Sequence, residues 1–286
     1  MSTPPHIFIF GLGYVGRHLA QLLSQNGWQI TATTRQPGRL AGQLPDSWRL
    51  LPFSAEAPLA QLDTHLATAT HLISSIAPQA GQDPVLAHHA DEIAAFTGWT
   101  GYLSATSVYP DQPEGWVDED TPAVPVTARG TARLAAEQKW QEAGGVEIFR
   151  LAGIYGPGRN ALADLRAGKA HIIDKPGQVF NRIHQSDISR VIAAAMAQPR
   201  PGRIINLADH KPASQGDVVR YAAQLLGMDP PQAIAFAEAE MSEMARSFYT
   251  AQRRIRSQII GPELGLELFY PDYESGLKAI LAAEQG

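Results

Sequence analysis

A glycine-rich turn near the amino terminus constrains the fold of this chain more than any other feature. Residues 11–16 read GLGYVG, and they lie between the apolar run 6–10 and an amphipathic stretch, 14–25. Glycines at this spacing between a strand and a helix are typical of dinucleotide-binding proteins, where they permit a tight turn, close approach of a pyrophosphate and close helix packing. The alternative is a glycine-rich turn that binds nothing. We assign to the cofactor site Gly11, Gly13, Tyr14, Val15 and Gly16.

Short apolar runs alternate with helical patterns through the first two thirds of the chain. The strand-like runs are apolar on both faces, which is typical of a parallel sheet covered by helices on both sides. The sequence therefore predicts an α/β fold with a Rossmann-type, doubly wound parallel sheet. The predicted strands are 6–10, 28–33, 49–53, 71–75, 101–106, 147–151 and 203–207, and the predicted helices are 14–25, 84–97, 127–143, 187–197, 215–226 and 273–283.

The pattern changes after residue 151, where turn-rich segments and short strands replace the regular alternation. We predict a dinucleotide-binding domain over residues 1–152, completed by about residues 184–207. The remainder of 153–286, about 153–183 and 208–286, is predicted to form a smaller, interleaved substrate-binding lobe.

Composition limits the chemistry that is open to this protein. The 286 residues include no cysteine, which excludes disulfides, thiol nucleophiles, iron–sulfur clusters and cysteine-bound zinc. The sequence shows no other metal-ligand spacing, so we predict no metal site. The net charge of −5 argues against binding to nucleic acid or to an anionic membrane surface, and we predict a small-molecule partner.

The amino-terminal residues show no targeting signal. Residues 1–5 contain no basic cluster, and the apolar run that follows them is broken by Gly11. A secretory signal needs a basic start and a longer apolar stretch, and a membrane span needs about 18 apolar residues. We therefore expect a cytoplasmic protein.

The end of the second predicted strand indicates which dinucleotide the chain prefers. In NAD-binding proteins an acidic residue about 20 positions beyond the glycine turn holds the ribose 2′-hydroxyl. Here the segment reads Thr33, Thr34, Arg35 and Gln36, followed by Arg39, and contains no carboxylate. A carboxylate would repel a 2′-phosphate, whereas a guanidinium binds one. We therefore predict NADP rather than NAD, bound through Thr34 and Arg35; the alternative is that Arg35 is a solvated loop charge.

Five further segments, in order along nearly the whole chain, carry a family signal. They are residues 103–109 (LSATSVY), 149–159 (FRLAGIYGPGR), 181–188 (NRIHQSDI), 205–209 (INLAD) and 270–273 (YPDY). Together they resemble the extended short-chain dehydrogenase/reductase family, which includes NAD-dependent sugar epimerases and dehydratases, and the last resembles the closing motif of an atypical, epimerase-like subgroup. The resemblance implies the same fold, an NAD(P) cofactor and the homodimer that is frequent in the family. It also implies cofactor contacts in the loop after the fourth strand, at Ser75 and Ile76.

The sequence departs from the family at the residues that transfer protons. The family's catalytic Tyr-x-x-x-Lys falls on Arg129 and Arg133, and its hydroxyl position falls on Ala105. Arginine stays protonated up to about pH 12, so neither residue can cycle as a general acid or base. Both can stabilise an oxyanion or clamp a carboxylate or phosphate, and a spacing of four places them on one helix face. The alternative is that they pair with nearby acids, namely Asp118, Glu119 or Asp120.

Other side chains remain candidates for proton transfer. They are Thr106, Ser107, Tyr109, Tyr155 and His184. Tyr109 follows the carboxyl end of a predicted strand, where sites in open α/β sheets form; its alternative is a core position with a satisfied hydroxyl. We predict a catalytic set formed by Thr106, Tyr109, Arg129 and Arg133.

Two functions of different classes fit these residues. The first is an NADP-dependent oxidoreductase or epimerase/dehydratase-like enzyme acting on a small anionic substrate, for which the family suggests a sugar nucleotide. The second is a catalytically inactive relative that senses NADP(H) or acts through protein contacts, which the missing Tyr-x-x-x-Lys favours. The basic cluster 253–256 is either a solvated or partner-facing stretch or a site for an anionic substrate group.

Overall fold

The computed structural model describes residues 4–40 and 42–285. Residues 1–3, which begin the segment expected to lack a targeting signal, lie outside the described residues. Short strands and helices alternate along the chain. In chain order the strands are β1 (His6–Phe10), β2 (Gln29–Thr34), β3 (Arg49–Pro52), β4 (His71–Ser74), β5 (Trp99–Ala105), β6 (Trp116–Val117), β7 (Glu147–Leu151), β8 (Gly153–Tyr155), β9 (Ile172–Asp174), β10 (Arg182–His184), β11 (Ile204–Leu207), β12 (Ala233–Ala235) and β13 (Arg254–Ile255).

The helices are short to medium in length. None of those in the described residues combines the length and the apolar composition needed to cross a bilayer. Single 3₁₀ turns cover Pro37–Leu40 and Thr106–Val108. In chain order the α-helices are α1 (Tyr14–Gln25), α2 (Leu62–Leu66), α3 (Pro84–Ala95), α4 (Ala128–Glu142), α5 (Ala161–Arg166), α6 (Gln185–Ala197), α7 (Gln215–Leu226), α8 (Glu243–Ser247) and α9 (Tyr273–Gln285).

Seven strands form the central sheet, in the order β11-β7-β5-β4-β1-β2-β3. The ladders that join β3, β2, β1, β4 and β5 are parallel, with Ile7 opposite Ile30 in β2 and Phe8 opposite Leu72 in β4. The strand order therefore reverses beside β1, between β1 and β4. This topology confirms the predicted Rossmann-type, doubly wound sheet, in which ligands bind at the carboxyl ends of the strands where the order reverses.

Burial explains the apolar sequence of the first strand and the periodicity of the first helix. All five residues of β1 are buried, as expected for a strand that is covered on both faces. Helix α1 packs against β1 and β2 and buries Val15, Leu19 and Leu23 on one face. Their spacing of four is close to one helical turn of 3.6 residues, so one stripe of α1 faces the sheet.

The predicted elements agree with the observed ones to within two residues at each end. Strand 147–151 and helix 215–226 are confirmed with the same bounds. The sequence did not reveal the pairing of the shortest strands, which form three separate ladders: β8 with β10, β9 with β12 and β6 with β13. Strands of two or three residues are too short to show a period of two, so their pairing depends on packing.

The chain divides into two compact units, each assembled from separate stretches of sequence. The first holds β1 to β5, and the second has its own apolar core, built around α5, α7 and α9. The domain boundaries drawn from the sequence stay a prediction. The first unit contains the chain through Ala105, Ala128–Arg150 and Ser189–Ile205, and the second contains Thr106–Thr127, Leu151–Ile188 and the chain from Asn206 onward.

A buried ion pair joins β7 to the segment just before β11 in the first unit. Arg203 Nη2 lies 2.7 Å from Glu147 Oε2, and both side chains are almost completely buried. Glu147 Oε1 also accepts hydrogen bonds from the Trp99 indole at 2.8 Å and from the Arg200 backbone N–H at 3.0 Å. Removal of the carboxylate would leave the guanidinium buried without its compensating charge.

We expect Glu147→Ala to lower the free energy of unfolding by about 3–5 kcal/mol, because it leaves Arg203 buried and unneutralised. Glu142→Ala, which removes an exposed carboxylate at the end of α4, is the control and should change it by less than about 0.5 kcal/mol. Urea unfolding followed by circular dichroism measures both. Equal effects of the two variants would contradict the role of the buried pair.

Candidate functional site

The glycine turn that follows β1 is held to β2 by backbone hydrogen bonds. Gly11 has a φ of +89°, in the left-handed region where a glycine is favoured. Its N–H donates to Thr33 Oγ1 at 3.0 Å, and the N–H of Leu12 donates to Thr33 O at 2.8 Å. Thr33 is fully buried, so the end of β2 fixes the position of the loop.

The loop after β4 holds the same turn from the other side. Ser75 donates from its backbone N–H to Phe10 O at 2.9 Å and from Oγ to Gly11 O at 2.6 Å. A Cβ at Gly11 would lie 2.8 Å from Ser75 Oγ and 2.9 Å from Ile76 Cγ1. The predicted cofactor residues Ser75 and Ile76 therefore lie directly against Gly11.

The other two glycines of the motif have opposite surroundings. A Cβ at Gly16 would lie 2.5 Å from Gly11 O, so a side chain there would collide with the backbone of the turn. A Cβ at Gly13 would meet no atom within 4 Å, and Gly13 is exposed. Gly16 is therefore required for packing, whereas Gly13 keeps open a space that the protein does not fill.

That open space lies at the amino-terminal end of α1. Gly13 is the N-cap residue, no side chain caps the helix, and its first turn contains no acidic residue. The start of a helix offers backbone N–H groups and the positive end of the helix dipole, which together suit a phosphate. Of the two side chains predicted here, Tyr14 is half-buried and Val15 is buried in the stripe of α1 that faces the core.

The residues predicted to select the dinucleotide lie at the carboxyl end of β2. Thr34 is the half-buried last residue of the strand, and its carbonyl accepts from Phe53 N at 3.1 Å. Arg35 follows it and is exposed. The hydroxyl of Ser54 lowers the pKa of the exposed Glu56, and the charge of Arg35 adds to that effect. Arg35 thus has an acidic neighbour, but no carboxylate occupies the end of β2 itself.

The two arginines that replace the expected Tyr and Lys lie on α4 but differ in their surroundings. Arg133 is half-buried, and its Nη1 donates to Leu103 O at 2.8 Å and to the Tyr102 hydroxyl at 3.2 Å. Arg129 is exposed. The pKa of its guanidinium is lowered by the loss of some of its solvent and by repulsion from the charge of Arg133. Arg133 is therefore anchored to β5, and the pair presents two mutually repelling positive charges.

The acids proposed as alternative partners of these arginines have partners within the second unit. Asp118 Oδ2 lies 2.7 Å from Arg256 Nη2. Glu119 Oε1 accepts from Ser257 Oγ at 2.6 Å and from Asn206 N at 2.9 Å. Asp118 and Glu119 therefore have partners of their own, and the pairing of Arg129 and Arg133 with nearby acids, Asp120 included, stays an open alternative.

Thr106 and Tyr109 belong to the second unit and lie in one short turn. Tyr109 N donates to Thr106 O at 3.2 Å, and the same oxygen accepts from Arg253 Nη1 at 2.9 Å. Thr106 is half-buried, whereas Tyr109 is fully buried and donates from its hydroxyl to Asn206 Oδ1 at 2.8 Å. Tyr109 thus has the satisfied core position that the sequence left open as its alternative.

Three further proton-transfer candidates, Ser107, Tyr155 and His184, are also enclosed, and the hydroxyl oxygen of Ser107 is buried. Tyr155 donates to Asp272 O at 3.2 Å, and burial raises the pKa of its hydroxyl. His184 is buried with its ring 5.2 Å from that of Tyr155 and 4.1 Å from that of Tyr270. In the part of the chain that the structure describes, no group of three or more His, Asp or Glu side chains is arranged to hold a metal ion.

The basic cluster 253–256 is less available than its sequence suggests. Arg254 Nη1 donates to Pro113 O at 2.7 Å, and Arg253 and Arg256 make the contacts described above. Each arginine of the cluster therefore already has a protein acceptor, which neither sequence alternative anticipated.

The sequence analysis missed Asn206 as an organising residue of the second unit. Asn206 is fully buried; besides accepting from Tyr109, it donates from Nδ2 to Arg256 O at 3.1 Å. It lies in the segment 205–209 that carries the family resemblance, but a polar residue within an apolar strand was the only signal in the sequence.

The opposite surroundings of the two glycines generate a prediction about stability. We expect Gly16→Ala to lower the free energy of unfolding by about 1–3 kcal/mol, because its Cβ would overlap Gly11 O. Gly13→Ala, the matched control, should change it by less than about 0.5 kcal/mol, since its Cβ meets no atom and its φ of −83° suits alanine. Chemical denaturation of both variants tests this, and a loss at Gly13 as large as that at Gly16 would contradict it.

Comparison with known proteins places this geometry in a family. No protein-family model matches the chain. A solved structure of a functionally unknown conserved protein from Silicibacter pomeroyi DSS is 44% identical, with a TM-score of 0.90 over 98% of this chain and 99% of that chain. The dTDP-glucose 4,6-dehydratase of Bacillus anthracis str. Ames, solved in complex with NAD, shares the fold at 14% identity, with a TM-score of 0.78 over 98% of this chain and 96% of that chain. Protein YeeZ of Escherichia coli K12 is 30% identical in an alignment that covers 93% of this chain and 96% of YeeZ. This chain therefore belongs to the family of Escherichia coli YeeZ.

Proposed function

We propose that this protein is an NADP(H)-dependent oxidoreductase or epimerase/dehydratase-like enzyme that acts on a small anionic substrate. The observation that carries the proposal is the glycine turn. Its backbone is fixed by Thr33 and Ser75, and it leaves an open space at Gly13 beside the uncapped start of α1. A preorganised loop with that space fits a pyrophosphate, which would otherwise have to displace a side chain.

The residues of the first unit fit the rest of the cofactor as well. Gly11, Gly13 and Gly16 shape the loop, and Ser75 and Ile76 support it from the β4 side. Tyr14 and Val15 begin the helix that faces the phosphates. When bound, the nicotinamide supplies hydride transfer, and the protein supplies orientation and charge.

The preference for NADP rests on Arg35. The Bacillus anthracis neighbour was solved with NAD, which supports a nicotinamide dinucleotide in general. In this chain, however, an exposed guanidinium follows Thr34 at the end of β2, where a carboxylate would be needed to hold a 2′-hydroxyl. The guanidinium favours a 2′-phosphate, with Thr34 beside it.

The catalytic residues of the proposal provide charge and a hydroxyl rather than a tyrosine acid. Arg129 supplies a positive charge for an oxyanion or an anionic substrate group, and Arg133, anchored to Leu103 O, holds a second charge nearby on α4. Thr106 offers a hydroxyl as a hydrogen-bond donor. Tyr109 is a positioning residue for Thr106, because its own hydroxyl is committed to Asn206.

The substrate class rests on charge and on the fold. Two arginines on one helix face favour an anionic substrate. The dTDP-glucose of the Bacillus anthracis enzyme is a sugar nucleotide, and we carry that class to this chain as an analogy of fold. A homodimer and a cytoplasmic location stay predictions, as does the absence of nucleic-acid and membrane partners.

One observation favours the second candidate, an NADP(H) sensor without turnover. The expected Tyr-x-x-x-Lys is replaced by two arginines, and Tyr109, the tyrosine of the predicted catalytic set, is buried with its hydroxyl occupied. A sensor needs the cofactor loop but no proton donor. Both candidates require NADPH binding, whereas only the enzyme requires turnover.

We expect Arg35→Ala to weaken NADPH binding by at least about tenfold, because a charge-assisted contact to the 2′-phosphate is lost, and to leave NADH binding unchanged. Titration of NADPH and NADH, followed by the fluorescence of the reduced nicotinamide, measures both affinities. Arg220→Ala, which removes an exposed arginine of the second unit, is the control. Tighter binding of NADH than of NADPH by the unmodified protein would show that the assignment of Arg35 is wrong.

Turnover separates the enzyme from the sensor. We expect NADPH consumption with carbonyl substrates if the enzyme is a reductase, and conversion of a sugar nucleotide without net NADPH consumption if it is an epimerase or dehydratase. In either case Arg129→Ala should lose about 100-fold in kcat/KM, as when one preorganised donor to an oxyanion is removed. Lys139→Ala, at an exposed position on the same helix, is the matched control. Tight NADPH binding without turnover, and without any effect of Arg129→Ala, would favour the sensor.

A further inference from the structure

Two adjacent histidines of α3, which the proposed function does not use, contact the loop that follows β3. His88 Nε2 lies 2.7 Å from Ala55 O, and Leu59 N lies 3.2 Å from His89 Nε2. Adjacent residues of a regular helix point about 100° apart, but α3 departs from helical geometry at His89, with a φ of −135° and a ψ of 26°. The two rings contact opposite ends of one loop, residues 54–59, which we call the β3 loop.

The direction of each hydrogen bond follows from the partner of the ring. A carbonyl oxygen can only accept, so His88 donates from Nε2 to Ala55. A backbone N–H can only donate, so His89 accepts at Nε2 from Leu59, and its Nδ1 is the donor toward Glu92 Oε1 at 3.3 Å. His88 is exposed and His89 is buried. The first therefore satisfies a carbonyl at the surface, and the second satisfies an N–H in the core.

The start of the β3 loop is fixed to the end of β2. Thr34 lies opposite Pro52 in the parallel ladder of β2 and β3. The carbonyl of Thr34 accepts from Phe53 N at 3.1 Å, and the buried Phe53 ring lies 5.3 Å from that of Phe10. The segments that follow the two strands therefore begin side by side, one with Arg35 and the other with the β3 loop.

Glu56 is the charged residue of the β3 loop, and it is exposed. Its backbone N–H donates to Ser54 Oγ at 3.3 Å, and Ser54 and Ala57 exchange backbone hydrogen bonds of 3.2 and 3.4 Å, so the loop is a compact turn. The Ser54 hydroxyl lowers the pKa of Glu56, and the charge of Arg35 adds to that effect. A negative charge thus lies near the guanidinium that the proposed function assigns to the 2′-phosphate.

We propose that the two histidines are positioning residues for selection of the dinucleotide: they hold the β3 loop so that Glu56 offsets part of the positive charge of Arg35. This role rests on the proposed function, because it requires that Arg35 binds a 2′-phosphate. A carboxylate repels a phosphate but not a ribose hydroxyl, so Glu56 lowers the affinity for NADPH more than the affinity for NADH. The preference for NADPH is therefore smaller than Arg35 alone would give. All of these residues belong to the first unit.

Titration of the full chain with NADPH and with NADH tests this role, because the ratio of the two affinities reports on the 2′-phosphate. We expect Glu56→Gln to raise the preference for NADPH about threefold, and by more at low ionic strength, since an exposed charge acts through a screened interaction. Glu142→Gln is the matched control and should leave the ratio unchanged. It removes an exposed carboxylate at the end of α4, which packs on β5, three strands away from β2.

A double-mutant cycle separates positioning of Glu56 from a general effect on the loop. His88→Ala, at an exposed position, should raise the preference for NADPH by part of the effect of Glu56→Gln, and should add nothing in the Glu56→Gln background, where no charge is left to position. His88→Gln, whose amide keeps an N–H donor for Ala55, should restore the original ratio. An equal effect of His88→Ala with and without Glu56 would show a purely structural role and overturn the proposal.

The buried histidine is tested in the same way. His89→Leu leaves the buried N–H of Leu59 without its acceptor and should shift the ratio in the same direction as His88→Ala. If this buried substitution prevents folding, the exposed His88→Ala still decides the outcome.

The pKa of Glu56 in the free protein gives a readout that needs no cofactor. A pH titration followed by NMR of its side-chain carboxyl should show a higher pKa in Arg35→Ala and in His88→Ala, because each change separates the carboxylate from the guanidinium or removes the latter. An unchanged pKa in both variants would overturn this role alone, as would an unchanged ratio in Glu56→Gln when Arg35→Ala weakens NADPH binding. Binding of neither dinucleotide by the unmodified protein would contradict the proposed function, and the role in selection with it.

Discussion

The close approach of α1 to the carbonyl of Gly11 is the constraint on which the first unit's site depends. Gly16 can have no side chain because a Cβ would lie 2.5 Å from that oxygen, and Ser75 donates to the same oxygen at 2.6 Å. The turn between β1 and α1 is therefore held by the adjoining helix and by two stretches of chain that are remote in sequence, at Thr33 and Ser75. This rigidity leaves the backbone at Gly13 open to a ligand and already in position to bind it, which lowers the entropy lost on binding.

In the second unit the corresponding role belongs to Asn206. Its buried side-chain amide accepts from the Tyr109 hydroxyl and donates to the carbonyl of Arg256. Its backbone N–H donates to the carboxylate of Glu119. These contacts fix the turn that carries Thr106 and the strand that carries the basic cluster. They also explain why Tyr109 is not available as an acid, since its hydroxyl satisfies a polar group that would otherwise be buried without a partner.

Some charged side chains of this protein are paired or anchored within the fold, whereas others have a charge or a polar atom that the fold leaves unsatisfied. Glu147 and Arg203 neutralise one another in the first unit, and Arg133 is anchored to a strand carbonyl. Arg35 is exposed at the end of β2, and Asp209 is buried with one oxygen unsatisfied. The preference for NADP rests on Arg35, because a charge that the fold does not satisfy is the part of a protein that a ligand can satisfy.

Contiguous residues were sufficient to predict the α/β sheet, the glycine turn and the absence of an acid at the end of β2. These features depend on residues that are close together in the chain. A run of apolar residues predicts a strand, three glycines predict the turn, and Arg35 replaces the acidic residue at the end of β2. The sequence did not predict that Arg133 reaches Leu103 or that Tyr109 is held by Asn206. It also did not show that Asp209 Oδ2 is buried without a donor among the described residues. Those outcomes depend on which distant segments pack together, because burial and the pairing of hydrogen bonds are decided only when residues far apart in the chain exclude water from between them.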